Sequence, residues 1–196
     1  MVSAAAAQML NFYGVPSSVG AGMSDAKSPD NQAGFEKGIS VALAALAGCN
    51  NVSESAGMLG SLMALSLEAM VIDNDMLGSV LRTVRGIEVN EETLSFDVIN
   101  QVVHGEGHFL RSEQTIGLMR SEYEYPALAD RSTPGEWEAA GSRDIRQQAG
   151  ERVRSILSSH YPEYIDPAVD RKIREQFPIL LPREVMNANS GRWQSG

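Results

Sequence analysis

The chain has a single cysteine, three histidines, 6% aromatic residues and no surplus of positive charge. Its 16 lysines and arginines are outnumbered by 25 acidic side chains, for a formal charge of −9. A chain of that sign has no electrostatic footprint for gripping a phosphate backbone, so nucleic acid is not an expected partner. Cys49 cannot form an internal disulfide. The expected compartment is therefore a reducing cytoplasm, and Cys49, at the end of an Ala/Leu-rich helix, reads as a small buried hydrophobe rather than a nucleophile. The longest apolar run, VALAALAG, is well short of the roughly 18 residues that span a bilayer, and Glu36 and Lys37 beside it mark a core helix, so no membrane partner is expected. MVSAAAAQML lacks a basic leading region and Asn11 and Tyr13 follow at once, so a signal peptide is not expected. Neither GxGxxG nor GxxxxGK[ST] follows a candidate strand, which argues against a phosphate-binding βα unit.

What is present is 196 residues, 43% of them hydrophobic and 18 of them glycine, enough for one domain with a core. Residues 3–13 are Ala-rich and followed by Gly14, a helix and its stop. Residues 15–21 read as a strand. After the loop GMSDAKSPD, Asp30 can cap a helix whose apolar positions are Phe35, Ile39, Ala42, Leu43 and Leu46 and which ends at Gly48. Residues 51–55 read as a second strand. AGMLGS follows, then a helical pattern through Leu62, Leu65, Met70, Ile72, Met76 and Leu81 that stops near Gly86. Helix and strand in alternation predict βα units with parallel strands. From Ile87 the pattern turns helical: Asn90 precedes EETLSFDVINQVV, Thr133-Pro134-Gly135-Glu136 is a capping box, Ser142 can restart a helix, and Asp166-Pro167 opens another that ends at Phe177-Pro178. The expected organisation is a β/α segment over 1–86, a helical region over 87–182 and a flexible tail over 183–196.

In parallel α/β structures ligands gather where the strands end and the βα loops collect. GMSDAKSPD and SESAGMLGS are those loops here, and they supply Asp25, Lys27, Asp30, Ser53, Glu54 and Ser55. Asp30 and Ser28 read as helix caps, Gly22 as a turn and Lys27 as a solvated cation. Asp25 and Glu54 have no capping duty visible in the sequence, which makes them candidates for function.

Several stretches together resemble the C-terminal part of the trimethylamine:corrinoid methyltransferase family. They are GVPSSVGAGMSDAKSPDNQAGFEK, LEAMVIDNDMLGSVLRTVRGIEV, GEGHFLRSEQTIGLMRSEYEYPALADRSTPGEWEAAGSRD and ILSSHYPEYIDP. The resemblance implies an α/β fold made of the last βα units of a TIM-type (β/α)8 barrel followed by a helical region. It also implies cobalamin carried by a partner corrinoid protein rather than bound directly, and a small methylated amine as substrate. Founding members carry pyrrolysine in the barrel, and the resemblance puts that slot at or near Met23. A thioether cannot form a covalent amine adduct, so a non-pyrrolysine member is expected to take an amine already activated by positive charge, such as a quaternary ammonium. Asp25 and Glu54 are then the catalytic candidates that hold the cation, with Met23, Ser24, Ser53 and Ser55 as substrate-binding candidates.

Other constellations carry less. His104-Gly105-Glu106-Gly107-His108 imitates the histidine spacing of a zinc helix, but two glycines break the turn and no metal site is assigned. His160 sits where a helix end explains it. Tyr123 and Tyr125 alternate with Glu122 and Glu124 and could rim an ammonium site, although packing is the plainer account. Phe12 and Tyr13 precede a strand and stand apart from the site. A reading from another class is a catalytically inactive structural or oligomerisation module. Two strands cannot close a barrel and leave open edges, which predicts a homo-oligomer.

Overall fold

The computed structural model describes residues 1–161 and 164–186. Expectations about Pro162 and about the tail beyond residue 186 lie outside them. Residues 183–186 at the head of the expected tail form a short 3-10 turn. The fold is a mostly helical α/β arrangement with few strands. No helix among the described residues is long and apolar enough to cross a membrane.

Helix α1 (Val2–Phe12) ends at Tyr13 and is followed by Gly14 at φ 69°, the left-handed conformation a β-carbon disfavours. Strand β1 is Ser18–Gly20, shorter than the sequence suggests. Helix α2 (Asn31–Leu46) starts where Asp30 accepts the Ala33 amide at 3.1 Å, as its sequence predicts. Strand β2 (Asn51–Ser53) pairs with β1 in parallel, in the register Ser18 to Asn51, Val19 to Val52 and Gly20 to Ser53. The crossover places α2 against this pair, with Val19, Ala21, Val41, Ala44 and Val80 forming one core cluster and Ala26, Ala33, Leu59 and Ala69 another.

The large apolar positions of α2 do not line its buried face, and the helix that follows starts later than its sequence suggests. The buried face of α2 is Ala33, Lys37, Val41 and Ala44, while Phe35, Ile39 and Leu46 are 58%, 59% and 59% exposed. Small side chains let the helix lie close to the strands and loops, so the large apolar ones are left on the outer face. The long helical pattern does not begin at Leu62 either. Residues 58–65 form a small antiparallel hairpin, β3 (Met58–Leu59) and β4 (Ala64–Leu65), whose turn holds Ser61 at φ 57° and Leu62 at φ 71°. Helix α3 (Leu67–Arg85) starts only after Ser66, whose hydroxyl accepts the Ala69 amide at 3.1 Å.

The helical region continues with α4 (Phe96–His104), α5 (Glu113–Ser121), α6 (Pro134–Ala139), α7 (Ile145–Ser159) and α8 (Pro167–Gln176). The capping box at Thr133 and Glu136 is present, and a second one, Asp144 with Gln147, starts α7 in place of the expected Ser142. Asn90 caps only a single turn, and α4 begins six residues later. Helix α7 packs along α3, and α3 packs along α2. The segment after α5 is tied to α3 as well. Asp75 accepts the amides of Ala127, Leu128 and Ala129 at 3.2, 2.6 and 3.2 Å, and Glu122 takes Arg82 and Arg85 at 2.8 and 2.7 Å. Glu122 is thereby committed to α3, and the Tyr125 hydroxyl donates to the Met119 carbonyl at 2.8 Å, so this stretch has packing duties of its own.

Candidate functional site

The two βα loops lie against each other at the carboxyl ends of β1 and β2. Gly22, at φ 90°, approaches the second loop so closely that a Cβ there would stand 2.6 Å from Ser55 Cα and 3.0 Å from Val41 Cγ2. Only glycine meets both the backbone angle and the space. The Ala21 amide extends the parallel pairing by donating to the Ser53 carbonyl at 3.2 Å.

Most polar groups of the first loop are used to build the loop itself. The buried Ser24 hydroxyl donates to Glu36 Oε2 at 2.6 Å and accepts the Ala26 amide at 3.0 Å. Glu36, on α2, also accepts the Asp25 amide and the Gln32 side chain, both at 2.9 Å. Those bonds, the Ser24 hydroxyl foremost, hold its carboxyl below the usual glutamate range. The exposed Asp25 carboxylate takes the Ser61 hydroxyl of the hairpin turn, while Gly60 and Ser61 donate their amides to the Ala26 and Ser24 carbonyls at 2.8 and 3.0 Å. Lys27 donates to the Asp25 carbonyl at 2.6 Å. The hairpin, not foreseen from the sequence, is therefore the clamp that shapes the first loop.

The second loop differs. The Ser53 hydroxyl donates to the Val19 carbonyl at 3.3 Å and that of Ser55 to the Val52 carbonyl at 3.2 Å, so both serve the backbone. Glu54 is a non-glycine residue at φ 62°, and its exposed carboxylate has no hydrogen-bond or ion-pair partner among the described residues. It lies on the same side of Gly20 as Met23. A Cβ built on Gly20 would lie 2.9 Å from Glu54 Oε2 and 3.3 Å from Met23 Cε. A carboxylate and a thioether methyl thus meet above the last residue of β1, one from each loop.

Of the residues singled out from sequence, Met23 and Glu54 come together here, and Ser24, Ser53 and Ser55 stand beneath them as loop-building groups. Asp25 lies on the same loop as Met23 with its carboxylate turned to Ser61. What sequence reasoning missed is the pair below the loops: Lys37 Nζ lies 2.5 Å from Asp73 Oδ2, and the two residues are 1% and 5% exposed. The only sequence signal for it was a lysine and an aspartate on otherwise apolar helix faces. Elsewhere, His104 turns its ring to the Asn100 carbonyl of its own helix at 2.9 Å. Cys49 is half-buried beside the core, its thiol donating to the Asn51 carbonyl at 3.1 Å.

A family model described as trimethylamine methyltransferase (MTTB) matches residues 1–178. The chain belongs to the trimethylamine methyltransferase family. It is 44% identical over 169 residues to the trimethylamine methyltransferase MttB of Methanosarcina thermophila, covering 85% of this chain and 34% of that protein. It is 38% identical over 170 residues to the glycine betaine methyltransferase of Desulfitobacterium hafniense, covering 87% of this chain and 35% of the other. A trimethylamine methyltransferase MttB of D. hafniense is 36% identical over 174 residues, 89% of this chain and 34% of its own length. The chain thus spans about a third of the length of the curated relatives it matches.

Proposed function

We propose that this chain contributes the cation-holding part of a methyltransferase that takes a methyl group from a quaternary or tertiary amine, glycine betaine-like or trimethylamine, and passes it to a corrinoid protein. The observation that carries the reading is the Glu54 carboxylate, without a partner among the described residues, beside the Met23 methyl group over Gly20, at the ends of two parallel strands. The names of the relatives, which include both trimethylamine and glycine betaine methyltransferases, support a methylated amine.

The chemistry of the site favours a quaternary ammonium. Its methyl groups suit the soft Met23 side chain and its charge suits Glu54. Asp25, on the neighbouring loop, adds negative field to the same face. A carboxylate and a thioether with serine hydroxyls beneath them suit an ammonium cation better than a resident corrin, so the corrinoid is assigned to a partner protein, which would supply the nucleophilic cobalt that accepts the methyl group. When the C–N bond breaks, its electron pair stays with nitrogen and the leaving group is a neutral amine. The cation is therefore strongest in the ground state, and Glu54 acts mainly by binding and orienting it rather than by lowering the barrier.

In this reading residues 1–86 are the last βα units of a TIM-type barrel, residues 87–182 a helical region that buttresses them and residues 183–196 a tail, all working in the cytoplasm. The isolated chain forms a homo-oligomer, because Phe35, Ile39 and Leu46 on α2 and the edges of the two-stranded sheet need cover.

The test is methyl transfer from glycine betaine, carnitine, choline and trimethylamine to a reduced corrinoid, followed by cobalt absorbance, with this chain and with the chain extended to the length of its relatives. Transfer from at least one of these amines by the extended chain is expected. No transfer from any of them by a folded extended chain would overturn the proposal.

A further inference from the structure

One loop of the site is bonded to a buried ion pair, and the other is bonded to the turn of α2 that carries the pair's lysine. Asp73, on α3, uses a single oxygen, Oδ2, to take Lys37 Nζ at 2.5 Å and the Gly57 amide at 2.7 Å. Gly57 closes the loop that begins with Glu54. On the other side, the same turn of α2 holds the first loop: the Ser40 hydroxyl donates to the Lys37 carbonyl at 3.0 Å and accepts the Gly22 amide, also at 3.0 Å. Gly22 is the residue before Met23, and Gly57 lies three residues after Glu54. Among the described residues no other side chain accepts either amide.

Replacing a buried ion pair by an apolar pair of the same shape is often neutral or stabilising, because burying two charges exacts a desolvation penalty that their attraction barely offsets. Lys37 is a full-length cation taken from water into a helix face otherwise made of alanine and valine. Stability alone is a poor account of it. What an apolar pair cannot do is accept the Gly57 amide or fix the spacing of α2 and α3 through a directional bond.

We propose that Lys37 and Asp73 are positioning residues that set the two βα loops relative to each other, and so keep Met23 and Glu54 together over Gly20, where an ammonium cation would sit. The inference rests on the reading of Met23 and Glu54 as the cation site. It is chosen to be tested partly without substrate, so that the two can fail separately.

Two variants separate positioning from packing. Asp73→Asn keeps an oxygen for the Gly57 amide but leaves Lys37 buried without a counter-charge. Lys37→Met with Asp73→Leu removes both charges and the acceptor while keeping the volume. A purely structural role predicts that Asp73→Asn is the damaged one in every measurement. The positioning role predicts a crossed pattern. Asp73→Asn unfolds more easily yet keeps Gly57 protected, whereas the double variant loses less stability than Asp73→Asn while amide exchange at Gly57 quickens by about tenfold and the Val41 and Ala44 amides keep their protection. In the chain of full family length, the double variant's KM for glycine betaine rises several-fold.

Unchanged exchange at Gly57 in the double variant, or quickened exchange with an unchanged KM, overturns the proposal. Should the double variant not fold, Asp73→Asn decides alone: Gly57 stays protected and KM for glycine betaine stays near the parent's, and either a raised KM with Gly57 still protected or quickened exchange with an unchanged KM overturns the proposal. If exchange behaves as expected and the parent turns over no methylated amine, the functional reading fails while the loop-setting role of the pair stands.

Discussion

The Glu54 carboxylate and the Met23 methyl group meet over Gly20, where a Cβ would stand 2.9 Å from Glu54 Oε2 and 3.3 Å from Met23 Cε. The missing side chain is what leaves room for the two groups to converge. Gly20→Ala is therefore expected to push the Glu54 carboxylate aside. The atom displaced is the far end of an exposed, flexible side chain, so stability should change by less than about 1 kcal/mol. Affinity for a quaternary ammonium should fall several-fold at the same time. Urea unfolding and titration calorimetry on one preparation check both, and a large stability loss with unchanged affinity would show that Gly20 matters to the fold alone.

Glu54 holds φ at 62°, a conformation that costs an ordinary residue about 1 kcal/mol or more. Glu54→Gly relieves it. The variant is expected to unfold a few degrees higher than the parent while losing affinity for the ammonium, and differential scanning calorimetry reads the first change. Lower stability would mean that the carboxylate, not the backbone, has a structural duty at this position.

Glu36 gives the chain an acid-sensitive element. Its carboxylate accepts three hydrogen bonds, Ser24 foremost, and its pKa lies below the ordinary 4.5. With the folded value depressed, its contribution is complete above the unfolded pKa and is lost as pH falls through the folded one. Urea midpoints measured between about pH 3 and pH 7 should fall at the acid end, and Glu36→Gln should flatten that part of the curve. An identical acid limb in the variant would remove Glu36 from the account.

How much of this was legible in the sequence depends on how local the signal is. Asp30, Thr133 and Asp166 could be seen as caps because a cap is a contact within three residues, and the parallel strands followed from the alternation of elements. The hairpin of residues 58–65 escaped because strands of two residues are too short to show a period, and leucines at 62 and 65 mimic the helix that follows. The sequence does not tell the outer stripe of α2 from its core face, because both repeat at helical spacing and side-chain size alone does not say which one meets the strands. Lys37 and Asp73 are 36 residues apart, beyond anything a local pattern reports. Glu54 was legible as an acidic residue in the right loop, but its left-handed backbone and its meeting with Met23 were not.

The stripe of Phe35, Ile39 and Leu46, each more than half exposed, is expected to drive self-association of the isolated chain. Phe35→Ser with Ile39→Ser should shift light scattering toward the monomer with little change in unfolding free energy, since neither side chain belongs to the core. A monomeric parent at micromolar concentration would contradict the expectation directly.

The measurement that bears most directly on the central claim is the steady-state methyl transfer from glycine betaine by the chain extended to the length of its relatives and by its Glu54→Gln variant. If Glu54 holds the cation, the variant raises KM by about fivefold, in line with an exposed charge pair, and leaves kcat unchanged. An unchanged KM would contradict that account.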